Sequence, residues 1–493
     1  LAQSWKIYVV VTFIVGLLVG AGVGWTMVTP GTVSKSDYDA MKSNYDAAKA
    51  SLDQAQADLN VATANLNTAT ANITKTKADL ENALKRLDDI KIALVATGGY
   101  VPLSTNLTGE VTIGAILSLT GDLATYGENE KVAAEFAVAQ VNEFLKAAGA
   151  NWTLKMVSED TQTKPDICLQ KVESLAARGI KFLVGPLSSA EIRAIKGYLD
   201  ANKILAVSQS STAPDLGVDG LPATDDYVLR FAPSDKVGQG PALGRIMYSD
   251  GKRYVIPVYR GDAWGDGLEK AATERFAELG GTVLEGVRYA PEAVEFSAEA
   301  SNLADKVSSA VAAYGADKVA VLHISFEEAV TFFTASNEYA VLKTVKWYGS
   351  DGTALAGAVL SDPITRAFAL EVDYPSTIFA PTRSAKWGLV RQHGIDVLGR
   401  EPESYSYAVY DIVWAYALSI LTVDKYDAEA VRTVLPTVVK SFFGASGTIE
   451  LDAAGDRQAG DYDIWAIAEI SPGKFDWKHV GVYVLATDSV VWE

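Results

Sequence analysis

Sulfur is nearly absent from this chain of 493 residues, which has one cysteine, Cys168, and four methionines. A single thiol excludes any intrachain disulfide, and it leaves the redox compartment open, since many exported proteins manage without one. Histidine is as scarce. His323, His393 and His479 lie far apart, and no Cys/His spacing matches a zinc site, so no metal and no other cofactor is expected. Positive charge is in deficit, with 43 Lys and Arg against 61 Asp and Glu, a net charge of −18. That balance argues against nucleic acid and anionic lipid headgroups as partners, because both require clustered cations. Catalytic signatures are also missing: there is no G-x-S-x-G elbow, no H-E-x-x-H and no phosphate-binding G-x-x-x-x-G-K. Gly238, Gly240 and Gly244 are wrongly spaced for a dinucleotide fingerprint, and no strand precedes them. The chain does not read as an enzyme. A hydrolase built on an acid pair stays open in principle, though nothing in the loops points to one.

Proline and glycine are absent from 38 to 94, which favours one uninterrupted helix. Within it, Tyr38, Tyr45, Leu52, Leu59, Leu66, Ile73, Leu80, Leu87 and Leu94 recur every seventh residue. A second series, Met41, Ala48, Ala55, Ala62, Ala69, Thr76, Ala83 and Ile90, follows three residues behind. A strict seven-residue repeat keeps one seam facing a partner helix and imposes a left-handed supercoil. The spacing predicts a coiled-coil stalk over 31–97, ~85 Å long across 38–94, and hence a homo-oligomer. Its oligomer number is not readable.

Charge is absent from residues 7–28. At 1.5 Å per residue this run spans ~33 Å, enough to cross a bilayer core. Trp5 and Trp25 lie near its ends, where interfacial aromatics are favoured. Residues 1–30 are therefore expected to be a single-pass transmembrane anchor. Lys6 places the short N-terminus inside and the rest of the chain outside. A cleaved signal peptide is the competing reading, against which the run is long. Gly16, Gly20 and Gly24 share a helix face, either for close helix approach or because glycine is common in membrane helices. Residues 98–109 read as a Gly/Ser/Thr linker. Asn72, Asn106 and Asn151 each head an N-x-Ser/Thr sequon, candidate glycosylation sites on an exported chain.

Residues 110–493 alternate strands and helices. VTIGAILSL (111–119) precedes an amphipathic helix, then come strand WTLKMVSED, a helix, strand IKFLVGPLSS, a helix and strand ILAVSQSS. The unit repeats after residue 250 with RYVIPVYR, a helix, TVLEGVRY, KVAVLHIS and VKWYGSD. Such alternation predicts an α/β fold with parallel sheets flanked by helices, here in two lobes. Ligands in such sheets bind beyond the carboxyl ends of the strands, so the loops at 118–127, 185–190, 208–215, 260–265, 324–328 and 349–353 are the candidates. In the first half they carry hydroxyls and helix N-termini, suited to a carboxylate. In the second half they carry Trp264, Phe326 and Asp351. A carboxylate opposite hydroxyls, with aromatic walls, suits a zwitterion.

SLTGDLATYG, EDTQTKP, VGPLSS, SQSSTAP, GDAWG, YGSDG, YDIVWAYALSI and GASGTIELDAAGDR follow one another in order. With these eight segments in register, 110–493 resembles the type I periplasmic binding proteins that serve ABC transport of branched-chain and hydrophobic amino acids. The resemblance implies two lobes joined by three crossovers, lobe 1 at about 110–232 and 383–440 and lobe 2 at about 233–382 and 441–493. It implies that Ser189, Ser210 and Thr212 hold a ligand carboxylate, with Thr212 also near the amino group. Asp351 takes the ammonium, and Tyr126, Trp264 and Phe326 line the side-chain pocket. Trp264 stands where that family usually has tyrosine. The plainer readings are that Asp351, Ser189, Ser210 and Thr212 cap helices and that Trp264 packs in the core. Cys168 reads as a buried small hydrophobe.

The expectation is a membrane-anchored, extracellular solute-binding protein that captures an amino acid or small amide by hinge closure, for an ABC permease or for sensing. The alternative is a structural subunit of a surface layer or filament, since a long oligomerising stalk exceeds what a transport receptor needs.

Overall fold

The computed structural model describes residues 35–95, 105–216 and 226–493. The expected anchor at 7–28 lies outside these residues, as does most of the linker. The described chain divides into two compact units, one up to Asn82 and one from Ala83 onward.

One helix, α1 (Lys35–Val95), runs 61 residues without a break. Up to Asn82 its surface is polar, with Lys42 and Asp46 paired one turn apart at 3.1 Å. Three heptad positions up to Asn82 are open: Leu59, Leu66 and Ile73 are 38%, 66% and 68% exposed. Asn72 sits on the same exposed helix.

The second unit contains two lobes. The first lobe opens with β1 (Gly109–Leu117), α2 (Ala124–Ala147), β2 (Trp152–Asp160), α3 (Pro165–Ala177), β3 (Phe182–Val184), α4 (Ser189–Asn202), β4 (Leu205–Ser208) and β5 (Val228–Arg230). These strands make one parallel sheet in the order β2-β1-β3-β4-β5. β1, β3 and β4 are runs of aliphatic residues buried on both faces, as central parallel strands should be. The chain then crosses to the second lobe: α5 (Gln239–Ser249), β6 (Tyr254–Arg260), α6 (Ala263–Glu278), β7 (Thr282–Val283), β8 (Val287–Tyr289), α7 (Ser297–Tyr314), β9 (Val319–Ile324), α8 (Ala329–Ser336), β10 (Lys346–Gly349), α9 (Gly357–Ser361), α10 (Pro363–Glu371) and β11 (Ser376–Phe379). It returns to the first lobe as α11 (Ala385–Leu398), α12 (Ser404–Val423) and α13 (Ala428–Lys440). It finishes in the second with β12 (Tyr462–Ser471), β13 (Lys474–Val484) and β14 (Ser489–Trp492). The chain thus passes between the two sheets near 231–238, 380–384 and 441–461.

The second sheet corrects one expectation. β6, β9, β10 and β11 pair in parallel, but β11, β12, β13 and β14 pair antiparallel, so the sheet is mixed. A short turn at Pro472–Gly473 returns β12 directly onto β13, and that is a hairpin rather than a crossover. The stretch TVLEGVRY, expected as one strand, is two. At Gly286 the backbone passes so close to Pro257 that a Cβ would lie 2.4 Å from its carbonyl oxygen.

Helix α12 is apolar and 20 residues long, but nearly all of it is enclosed by the fold, so it is a core helix rather than a membrane span. It packs along α2 and sends the Tyr416 hydroxyl to the carbonyls of Leu183 and Leu205, 2.7 and 3.0 Å away. Cys168 is fully buried on α3. The first turn of α2 presses on the end of β1, where a Cβ on Gly127 would sit 2.0 Å from the Ser118 carbonyl oxygen. Backbone cannot yield as a side-chain tip can. Gly127→Ala is therefore expected to destabilise the lobe by about 2 kcal/mol, measurable by urea denaturation.

Candidate functional site

Each strand-end loop singled out by the α/β pattern reaches one cavity between the lobes. Leu123, Ser188, Ser210, Trp264, Phe326 and Asp351 line it from the loops after β1, β3, β4, β6, β9 and β10. Leu187 and Gly352 line it from the same loops, and Tyr126, Ser189 and Tyr405 from helix starts. The cavity is tight, with about 20 Å³ open to the centre of a water molecule.

On the first lobe, Leu187, Ser188 and Ser189 bring the N-terminus of α4 to the cavity wall. Ser188 is the N-cap: its side chain accepts from the Glu191 N–H, and the Glu191 carboxylate accepts from the Ser188 N–H at 3.1 Å. This reciprocal box starts the helix and leaves Ser189 in its first turn. The Ser189 hydroxyl pairs with that of Ser211 at 2.9 Å and accepts from the Ala213 N–H at 3.1 Å. Ser210 donates to the Leu187 carbonyl at 3.0 Å. Two hydroxyls beside a helix N-terminus make a receptive place for an anion.

On the second lobe, Asp262 caps α6 by accepting from the N–H groups of Trp264 and Gly265. That turn lays the Trp264 ring on Phe326, with centroids 4.5 Å apart and planes at 16°. Asp351 follows β10. No helix starts at Asp351, and the next, α9, has no side-chain cap, so Asp351 does not act as a helix cap. Its Oδ2 accepts from the Tyr405 hydroxyl at 2.6 Å, and its Oδ1 is buried without a hydrogen bond of good geometry among the described residues, although Gln239 and the Gly352 N–H lie near the carboxylate. Burial raises the Asp351 carboxyl to about 6, opposed by Tyr405, Gln239 and the backbone N–H groups of Asp351 and Gly352.

Of the seven residues expected at the site, Tyr126, Ser189, Ser210, Trp264, Phe326 and Asp351 meet in this cavity. Thr212 does not line it: its hydroxyl is given to Asp235 at 2.9 Å. Asp235 is fully buried, and burial followed by the Asp351 charge pushes its carboxyl well up. Tyr405 was not anticipated. It lies 54 residues beyond Asp351 on a helix start rather than a strand end, and no local spacing signals it.

Several contacts tie the lobes together around the cavity. The Tyr126 hydroxyl lies 2.6 Å from the carbonyl oxygens of both Asp351 and Ala354. Arg260 reaches Asp122 at 2.9 Å while holding Asp262 and Glu328 within its own lobe. Thr125 donates to Glu327, and the Glu327 N–H donates to the Asp122 carbonyl. Of the other sequons, the Asn106 amide bonds to Asp424 at 2.8 Å, and that of Asn151 reaches the Thr105 carbonyl at 3.5 Å. Among the described residues no three metal-ligating side chains stand together.

Comparison with known proteins agrees with this architecture. A family described as periplasmic binding protein matches residues 110–473. An uncharacterised protein of Methanocaldococcus jannaschii is 34% identical over 397 residues, which is 78% of this chain and 92% of that protein. A Leu/Ile/Val-binding protein of Rhizobium johnstonii is 28% identical over 212 residues, 43% of this chain. The alignment spans only about half of that relative, 55% of its length. A crystal structure of a leucine-binding protein from Thermotoga maritima superposes with a TM-score of 0.60 at 18% identity, covering 76% of this chain and 98% of that one.

Proposed function

The chain belongs to the periplasmic binding protein family, and we propose that its two lobes close on a small solute, an α-amino acid above all, outside the cell. The observation that carries this reading is a buried carboxylate, Asp351, lining the same tight cavity as Ser189 and Ser210 at and near the α4 N-terminus. The carboxylate takes the ligand ammonium, the hydroxyls and helix N-terminus take its carboxylate, and Tyr126, Trp264 and Phe326 surround its side chain. The Leu/Ile/Val-binding relative supports an aliphatic amino acid. A small amide is the variant of this reading that a tight cavity accommodates. Thr212 serves at one remove, by fixing Asp235 beneath the site.

Capture works by hinge closure. A cavity this small admits a solute only when the lobes part at the three crossovers, and a solute touching both lobes favours the closed arrangement by its differential affinity. The test is a thermal-shift panel on the full chain with amino acids, amides and urea. A ligand at 100 times its Kd should add about 2.7 kcal/mol of stability. Flat melting curves across the whole panel would contradict the capture role.

Around this function we place the rest of the molecule. Residues 7–28 anchor it in the cell membrane, the stalk oligomerises it, the head faces outward with its sequons, and an ABC permease or a sensor receives the solute. The exposed Leu59, Leu66 and Ile73 favour a second copy as the partner of α1, since an apolar seam of seven-residue period is buried by another such helix. Leu59→Glu with Leu66→Glu is expected to shift the full chain to monomer in sedimentation equilibrium, and an unchanged mass would refute the coiled coil. The same seam keeps the second reading in play, a surface-layer or filament subunit that retains a binding head. Ordered arrays on imaged cells would favour it over isolated receptors.

A further inference from the structure

Helix α2 starts without a cap of its own. Leu123 holds its N-cap position and offers no side-chain acceptor, and its first turn carries no acidic residue. The opening N–H groups and the positive end of such a helix need an acceptor from elsewhere. It comes from the second lobe. Glu327, in the loop after β9, accepts from the Thr125 hydroxyl with one carboxylate oxygen and from the Thr125 N–H with the other, at 3.5 Å. Thr125 returns the service. Its hydroxyl oxygen accepts at 3.3 Å from the N–H of Gly357, the first residue of α9, which also has no side-chain cap within its own lobe. A Cβ on Gly357 would stand 3.1 Å from that hydroxyl, so glycine allows the approach.

Each lobe thus supplies an acceptor to a helix start on the other, a capping box divided between two lobes. Both bonds cross the cleft and exist only while it is shut. They adjoin the cavity, since Tyr126, which follows Thr125, and Phe326, which precedes Glu327, line it. Burial raises the Glu327 carboxyl, opposed by the Thr125 hydroxyl, the N–H groups of Thr125 and Ala358 and the Arg400 charge. Capping therefore draws on the Glu327 oxygens as acceptors more than on their charge.

We propose that Thr125 and Glu327 form a latch that holds the lobes shut and sets how fast a solute leaves. They are positioning residues for closure, outside the cavity lining. The latch rests on the two-lobed hinge of the capture reading and not on which solute is held.

The test measures the interlobe distance in the full, unliganded chain by spin labels on Ser174→Cys of α3 and Ser308→Cys of α7, with labelled chains diluted among unlabelled ones. Both positions are exposed, and the native Cys168 is buried. Glu327→Ala and Thr125→Val should each add an open population to the distance distribution. Glu327→Gln, which keeps an acceptor oxygen, should stay near wild type. With the solute that shifts melting most, release should be about fivefold faster in Glu327→Ala and in Thr125→Val, the worth of one lost cap, and association should change by less than about twofold. The double variant should open no further than either single one, because the two residues act on each other. Distances and release unchanged in both single variants would overturn the latch. So would Glu327→Gln as open as Glu327→Ala, because the acceptor oxygen would then not be what holds the lobes. If no solute in the panel binds, the capture reading fails by itself, and the distances still decide the latch.

Discussion

Asp351→Asn is expected to weaken α-amino acid binding about a hundredfold or more while making the ligand-free protein more stable at neutral pH. Both effects have one cause. The Asp351 carboxylate is buried and accepts from the Tyr405 hydroxyl, with Gln239 and the Gly352 N–H close by. Against a ligand ammonium it completes a desolvated charge pair, and truncating one member of such a pair costs about 2–5 kcal/mol. Without a cation the same burial disfavours ionisation, raising its carboxyl from 3.8 to about 6. The folded state then holds this proton more tightly than the unfolded state. Stability therefore falls as pH rises from about 4 to about 6, by about 3 kcal/mol in total, and stays lower above that window. Asp411, raised to about 6 by its own burial, titrates over the same range, so the measurement is the difference between wild type and Asp351→Asn, which also contains the relief of Asp235 from the Asp351 charge. The variant's stability should rise relative to wild type as pH goes from 4 to 7. Ligand affinity in the wild type should fall by about tenfold per pH unit below 6, because a proton competes with the ammonium. Unchanged calorimetric affinity in Asp351→Asn would remove Asp351 from the ammonium site.

The largest loss of stability is expected from Arg230→Ala, about 3–5 kcal/mol. Arg230 ends β5 at the first crossover and is 1% exposed. Its guanidinium forks onto both oxygens of Asp456, itself buried in the third crossover, and also reaches the carbonyls of Ser211 and Ala213 at 3.2 and 2.8 Å. Burial raises the Asp456 carboxyl, and Arg230 opposes that rise. Removing the cation strands a buried carboxylate and two carbonyls, the circumstance in which breaking an internal pair is most destabilising. Replacing both partners by apolar residues, Arg230→Met with Asp456→Leu, should recover much of the loss, because neither charge is then left alone. Since Arg230 also holds the loop that presents Ser210, the single variant should bind solute more weakly as well. Equilibrium denaturation checks the first effect, and a loss below 1 kcal/mol would mean that the pair is not a structural tie.

Much of this architecture was legible because parallel strands buried on both faces are written as aliphatic runs. VTIGAILSL covers most of β1, and RYVIPVYR contains β6. The six loops chosen by the rule that ligands gather beyond strand carboxyl ends all meet at one cavity. What the pattern did not disclose follows from long-range geometry. Tyr405 meets Asp351 because α12 lies against the cleft, a fact of packing and not of spacing. Thr212 sits two residues beyond Ser210, yet it turns away to Asp235. The antiparallel end of the second sheet was hidden because β13 and β14 are half exposed at an edge and lack the aliphatic density that marks the central strands.

The central claim, that the interlobe cavity holds the two charged ends of an amino acid, is tested most directly by a crystal structure of the protein purified without unfolding and supplied with the solute that shifts its melting most. The account predicts one ligand in that cavity, its ammonium within hydrogen-bond reach of Asp351 Oδ1 and its carboxylate against Ser189, Ser210 and the start of α4. A solute bound with its cation elsewhere, or bound wholly outside the cavity, would contradict it.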